Sequence, residues 1–125
     1  MSSLYSFEFV DVLTPNPDDY VAIVPAGITT ADELFQALYD ALELPGYFGF
    51  NWNALSDCLR DFHWVLNHGV VIYHKDLPNL GCQDICLYLR ILNEAKVDWE
   101  SSEEHSLRVV FPVRVKEEIS KLNCK

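Results

Sequence analysis

The sequence is short of positive charge. It contains 9 lysine and arginine residues against 19 aspartate and glutamate residues, so the formal net charge is −10 and the isoelectric point is about 4.6. A surface this acidic repels phosphate backbones, which argues against direct binding to nucleic acid. It suits a partner with a basic surface, although charge alone is explained more simply by solubility.

Long apolar runs are also missing. No stretch approaches the ~20 apolar residues of a membrane-spanning helix, and the first residues lack the basic and apolar regions of a secretory signal. These absences predict a cytoplasmic protein with no membrane partner. In that compartment Cys58, Cys82, Cys86 and Cys124 are expected to be free thiols. Cys82 and Cys86 are four residues apart and can share a helix face, but two thiolates do not make a zinc site.

Catalytic motifs are absent as well. The sequence has no Gly-Lys-Ser/Thr phosphate loop, no G-x-S-x-G elbow and no H-E-x-x-H helix, and its four histidines are scattered. Asp57 and Asp61 are spaced as a carboxylate pair, but on an acidic surface this spacing is typical of a solvated helix face. Cys58 lies on an apolar stripe, which favours a buried, inert thiol. The sequence therefore predicts neither an enzyme nor a cofactor or metal site.

Alternating strand and helix signals predict the fold. With 125 residues, half of them hydrophobic, the chain is long enough for a single domain over residues 1–125. Thr30 and Glu33 form a capping box at one helix start, and Asn51 is the expected N-cap of the next helix. Strands are predicted at residues 5–12, 20–24, 70–73 and 107–111, and helices from about 30, 51, 84 and 115 onward. Helical crossovers between strands indicate a parallel sheet.

The most informative segment is residues 44–59, LPGYFGFNWNALSDCL. It places aromatic side chains on a loop that runs directly into an acidic helix. This segment resembles the loop and helix of the barstar family, the intracellular inhibitors of secreted ribonucleases. The matching residues, in order and without a gap, are Leu44, Pro45, Tyr47, Gly49, Asn51, Ala54, Leu55, Asp57, Cys58 and Leu59.

The resemblance implies a fold for the whole chain. It covers roughly residues 20–111 in element order and is strongest in residues 44–59. It implies a three-layer α/β/α domain with a small, mainly parallel three-stranded sheet flanked by helices. The N-terminal strand and the C-terminal helix are then additions to the family core.

The same resemblance implies binding residues. Asp57 matches the main acidic contact of the family, and Tyr47 matches a loop contact whose flat ring can cover a partner's pocket. Gly49 matches a position where the backbone approaches the partner, although a turn with positive φ is an equal alternative. Glu94 aligns with a second acidic contact, and a plain solvent-facing helix residue is the alternative for it.

Three further positions have a second explanation or depart from the family pattern. Phe62 aligns with an aromatic contact but also completes the apolar stripe of its helix. Asn53 stands where the family usually has a carboxylate, so it keeps a hydrogen-bond acceptor and loses a charge. Ser56 stands where an aromatic residue is found in the family. These departures bear on the identity of the target rather than on the fold.

Taken with the resemblance, the sequence predicts an immunity protein. It would bind a basic ribonuclease toxin as a monomer in a 1:1 complex and block the active site with the acidic helix and the aromatic loop. The alternative is a regulatory or adaptor module of the same fold that binds a different basic protein.

Overall fold

Four strands and four helices make up the part of the chain described by the computed structural model, residues 5–124. In chain order they are β1 (Glu8–Val10), β2 (Tyr20–Val24), α1 (Ala31–Leu42), α2 (Trp52–Leu59), β3 (Gly69–His74), α3 (Cys82–Glu100), β4 (Ser106–Pro112) and α4 (Val113–Ser120). The strands form one sheet in the order β1-β4-β3-β2, with every neighbouring pair parallel. The predicted α/β class with a mainly parallel sheet is confirmed, and the sheet has four strands rather than three because the additional N-terminal strand β1 joins its edge.

The central strands explain why the sheet could be recognised from sequence. β3 and β4 are almost entirely buried and read as continuous apolar, β-branched runs, as strands of a covered parallel sheet do. The edge strand β2 has the predicted limits. The other edge strand, β1, pairs over only three residues instead of the predicted 5–12. Phe7 and Phe9 lie at this edge and pack against Phe111 of β4.

The start of α1 follows the predicted capping box with one change. The Thr30 hydroxyl accepts a hydrogen bond from the backbone N–H of Glu33 at 3.1 Å. The Glu33 carboxylate reaches back one residue further than expected, because it accepts from the backbone N–H of Thr29 at 2.8 Å. Both contacts satisfy amide groups that a helix start leaves unpaired.

The layering differs from the predicted three layers. Buried residues of all four helices share one core cluster with one face of the sheet; the sheet residues are Ala22, Val24, Val70, Ile72, Leu107, Val109 and Phe111. Strands β2, β3 and β4 follow each other in one direction across the sheet, and right-handed crossovers then place the connecting helices on the same face. On the opposite face, Arg108 binds the Glu8 carboxylate at 2.8 Å and the Thr14 carbonyl at 3.2 Å. The segment 11–19, rather than a helix, crosses that face.

The cysteines are not all free thiols as expected. Cys86 of α3 and Cys124, which follows α4, form a disulfide across 38 residues of sequence. Cys58 is a buried free thiol, as predicted, and Cys82 is an exposed one. The pairing depends on where the C-terminal residues pack in three dimensions, and cysteine spacing does not contain that information. Among the helices within residues 5–124, none is long and apolar enough to cross a membrane.

Candidate functional site

The segment 44–59 folds as a loop held tightly to the helix that follows it. Asn51 has extended backbone dihedrals and is the N-cap of α2, where its side-chain oxygen accepts a hydrogen bond from the Ala54 N–H at 2.8 Å. The side-chain nitrogen of Asn51 donates to the Gly49 carbonyl at 3.1 Å. One side chain therefore fastens both the helix start and the preceding loop, so the surface is organised before any partner binds.

Gly49 is explained by a close contact rather than by its own dihedral angles. Positive φ falls on the next residue, Phe50, at 53°, so the alternative of a positive-φ turn at Gly49 is wrong. A Cβ atom at Gly49 would lie 2.9 Å from the Asn51 side-chain nitrogen. The glycine thus leaves room for the side chain that caps α2.

Tyr47 presents its ring to solvent at the tip of this loop. The side chain is 68% exposed, and its ring lies parallel to that of His63, with 6.4 Å between centroids and 4° between planes. His63 Nδ1 is 2.7 Å from the Asp61 carboxylate. The pKa of the Tyr47 phenol is raised, chiefly because the phenol is partly shielded from water and to a smaller extent because Asp61 and Cys58 are nearby. Tyr47 therefore offers a neutral, amphipathic ring next to an acidic side chain.

A small cleft of about 150 Å³ separates this loop from α2. Its lining residues are Tyr47, Phe48, Ala54, Asp57, Cys58 and Asp61. Asp57 is exposed on α2, as predicted from the helical spacing. Asp61 lines the same cleft, which places it nearer to the Tyr47 loop than expected from its position one turn further along. The structure thus brings the carboxylates of Asp57 and Asp61 together with the exposed ring of Tyr47.

Cys58 lies behind these carboxylates and is buried. Burial, together with Asp61 and Asp57, raises the pKa of the Cys58 thiol. Because the thiolate is the nucleophilic form, a raised pKa makes this cysteine unreactive at neutral pH. The geometry agrees with a packing role for Cys58 on the inner side of α2.

Glu94 lies on α3 beside the end of α2. Its carboxylate is 3.5 Å from the guanidinium of Arg60, which also contacts Asp98 at 3.1 Å. The Glu94 side chain remains 49% exposed. It is therefore solvent-facing and paired within the molecule.

Asn53 and Phe62 have opposite environments. Asn53 is exposed on the first turn of α2, four residues before Asp57. Phe62 is completely buried and packs against Trp64 and Trp99, with a φ of 52° that turns the chain after α2. Phe62 is a core residue, so its prediction as a partner contact is wrong.

The two large apolar residues of the segment also differ. Trp52 is partly buried and packs edge-on against Phe35 with centroids 4.7 Å apart. Phe50 is 40% exposed and leans on Phe48 and Tyr39. Phe50 therefore adds apolar area to the surface beside Tyr47, whereas Trp52 belongs mainly to the core.

The structure also shows two neighbours of the site that the sequence did not reveal. His63 orients both Asp61 and the Tyr47 ring, and Arg60 draws Glu94 toward α2. Both residues follow the last turn of α2, where no periodic pattern predicts side-chain direction. Within residues 5–124, no group of three or more histidine, cysteine, aspartate or glutamate side chains is arranged to hold a metal ion.

A comparison with protein families identifies a matching family. The family described as Barstar (barnase inhibitor) matches residues 19–112, which run from the start of β2 to the end of β4. The chain belongs to the barstar family. A search of the curated proteins found no match. Because β1 and α4 lie outside the matched residues, they flank the barstar core, as the sequence resemblance implied.

Proposed function

We propose that this barstar-family protein inhibits a basic ribonuclease toxin and acts as an immunity protein inside the cell that makes it. It binds as a monomer in a 1:1 complex, has no catalytic activity, and covers the nuclease active site with α2 and the Tyr47 loop. The family description supplies the class of partner, a ribonuclease. The exposed carboxylate of Asp57 and the aromatic ring of Tyr47 supply groups that can bind such a partner.

The observation that carries this proposal is the pairing of Tyr47 and Asp57 on one pre-formed surface. Both side chains are exposed, line one cleft, and lie on a loop and helix joined by Asn51. A ribonuclease active site must hold phosphate and is therefore rich in cationic side chains. A carboxylate that meets several cations at once makes strong, charge-assisted hydrogen bonds. A rigid aromatic ring beside it adds contact area at low entropic cost.

The proposed contact surface consists of Tyr47, Gly49, Asn53, Asp57 and Glu94. Phe50 joins it as an exposed apolar neighbour, and Phe62 is left out because it is buried. The net charge of −10 favours encounter with a basic protein in any orientation. Binding of nucleic acid by the same surface is disfavoured for the same reason.

The direct test mixes the purified full chain with a panel of basic secreted ribonucleases of the barnase class and measures RNA cleavage. The expected result is stoichiometric loss of activity for at least one member and a 1:1 complex in size-exclusion chromatography. Glu118→Ala is the matched control for Asp57→Ala, since it removes an equal charge from the exposed side of α4, away from the site. Inhibition that survives Asp57→Ala as well as Glu118→Ala would contradict the proposed surface.

The second candidate function is a regulatory or adaptor module for a different basic protein. The neutral Asn53, in place of the usual carboxylate of the family, is the feature that favours it. Such a module would form a complex through the same face without changing the activity of any ribonuclease. Measuring binding and RNA cleavage on the same mixture distinguishes the two functions. An inhibitor binds and stops cleavage, whereas an adaptor module leaves cleavage unchanged.

A further inference from the structure

Three of the four cysteines lie in one groove on α3. This groove has a volume of about 740 Å³ and is separate from the Tyr47–Asp57 cleft, although Glu94 of the proposed contact surface is among its lining residues. Its lining includes Cys82, Cys86, Arg90 and Cys124. Cys86 and Cys124 form the disulfide, and Cys82 is the exposed free thiol. A thiol and a disulfide thus share one solvent-filled space.

Helix geometry brings the free thiol toward the disulfide. Cys82 and Cys86 are one turn apart on α3, so their Cβ atoms are about 5–6 Å apart. Residues four apart lie one above the other on the same helix face, so Cys82 and Cys86 both line this groove. Arg90 lies one turn beyond Cys86 in the same groove and offers a positive charge to a departing thiolate.

From this arrangement we infer that Cys82, Cys86 and Cys124 form a thiol–disulfide exchange site. The Cys82 thiolate attacks Sγ of Cys124, a Cys82–Cys124 bond forms, and the Cys86–Cys124 bond breaks. Cys86 leaves as a thiolate and takes up, through solvent, the proton that Cys82 released. One disulfide replaces another, so the step needs no added oxidant or reductant.

After the exchange, Cys124 is bonded to Cys82 of α3 instead of Cys86. Cys82 is four residues nearer to the start of α3 than Cys86, which corresponds to about 6 Å along the helix axis. In the structure Val115 and Ile119 of α4 belong to the core cluster, so the exchange requires movement only of the residues that follow α4. The site therefore offers two positions for the residues that follow α4 while the fold around them is retained.

A cysteine-substitution series tests this inference without any partner. The full-length Cys86→Ser variant is incubated with glutathione disulfide, quenched with acid, and alkylated with N-ethylmaleimide. We expect a Cys82–Cys124 disulfide, seen by mass spectrometry as linked peptides, and loss of alkylation at Cys124. The Cys82→Ser/Cys86→Ser double variant is the matched control, and its Cys124 should remain alkylated or carry glutathione.

The unsubstituted protein supplies the second arm. After incubation of the oxidised chain at mildly alkaline pH without oxidant, cleavage before Asp84 separates Cys82 from Cys86. We expect two populations of Cys124-linked peptides, and only one in Cys82→Ser, with Cys58→Ala behaving as the parent chain. Circular dichroism checks that each variant is folded. A single Cys86–Cys124 species at all times, with Cys124 unpaired in Cys86→Ser, would overturn the exchange site.

Discussion

His74 Nε2 lies 2.7 Å from the hydroxyl oxygen of Tyr88 in the middle of the core. The other ring nitrogen, Nδ1, is 3.2 Å from the Val110 carbonyl, which can only accept. His74 therefore donates from Nδ1, and in the neutral imidazole that burial favours, Nε2 accepts from the Tyr88 hydroxyl. Both side chains are fully buried, so each supplies the partner that the other needs away from water.

This pair predicts that acid weakens the fold. Burial lowers the pKa of His74 from 6.5 to about 4, despite the opposing hydrogen bond to Val110. Between these two values the unfolded chain binds a proton at this residue and the folded chain does not. The contribution to the free energy of unfolding is therefore intact above pH 6.5 and is lost as the pH falls toward 4. Over the whole window the loss is on the order of 3 kcal/mol.

Two measurements check the acid sensitivity. A proton NMR titration should show the His74 ring unprotonated well below pH 6.5, and urea unfolding should show stability falling over the same window. Tyr88→Phe removes the donor to Nε2 and should lower the free energy of unfolding by about 1–3 kcal/mol at neutral pH. An ordinary titration of His74 in the folded chain would contradict the buried neutral pair.

Gly49 gives a second prediction, which concerns the site rather than the core. In Gly49→Ala the new Cβ lies 2.9 Å from the Asn51 side-chain nitrogen, so that side chain must move. Loosening the N-cap of α2 should cost about 0.5–2 kcal/mol of stability. Gly46→Ala is the matched control in the same loop, because a Cβ there meets nothing within 4 Å. Thermal unfolding should separate the two variants, and equal melting temperatures would contradict the close-packing explanation.

Local signals in the sequence predicted this part of the site well. The Asn51 cap and the solvated spacing of Asp57 and Asp61 depend only on neighbours within about one helical turn. The sequence alone therefore predicts that the side of α2 carrying Asp57 is exposed. The central strands were readable for a similar reason, because a buried parallel strand needs a continuous apolar run.

Tertiary contacts account for what could not be predicted. Phe62 continues the apolar stripe of α2 and also aligns with a family contact, and only the left-handed turn after the helix decides that it is buried. The ion pair of Arg60 with Glu94 joins residues 34 positions apart. The Cys86–Cys124 disulfide likewise depends on the path of the C-terminal residues.

The two carboxylates of the cleft should contribute unequally to inhibition, which is the third prediction. Asp57→Ala should weaken binding by about 3–5 kcal/mol if its carboxylate is buried against cations in the complex. Asp61→Ala should weaken binding less, because the Asp61 carboxylate already lies 2.7 Å from His63 within the molecule. Any contact with the partner would therefore compete with this internal pair. A rim charge of this kind is worth less than about 1 kcal/mol.

Inhibition of a ribonuclease that responds to the parent chain measures this difference, and thermal melts check that the variants are folded. Asn53→Asp is a companion test of the partner's surface. The added carboxylate tightens binding when a cation lies opposite and weakens it when the partner has a different surface there. Equal and negligible effects at Asp57 and Asp61 would mean that the barstar interface is not used by this protein.

The fourth prediction concerns the rate of association. A chain with a net charge of −10 should meet a basic nuclease rapidly at low salt, because long-range attraction guides the encounter. Added salt screens charges that are separated by solvent and affects the close contacts of the finished complex much less. The association rate should therefore fall steeply as salt is added, while the dissociation rate changes little.

Stopped-flow fluorescence over a salt series measures both rates. Glu118→Ala should lower the association rate slightly and leave dissociation unchanged, because it removes charge away from the proposed contact. Asp57→Ala should instead raise the dissociation rate, since its carboxylate would contact the partner directly. An association rate that does not depend on salt would point to a different mode of recognition, in which the exposed rings of Tyr47 and Phe50 make an apolar contact and the acidic surface serves only solubility.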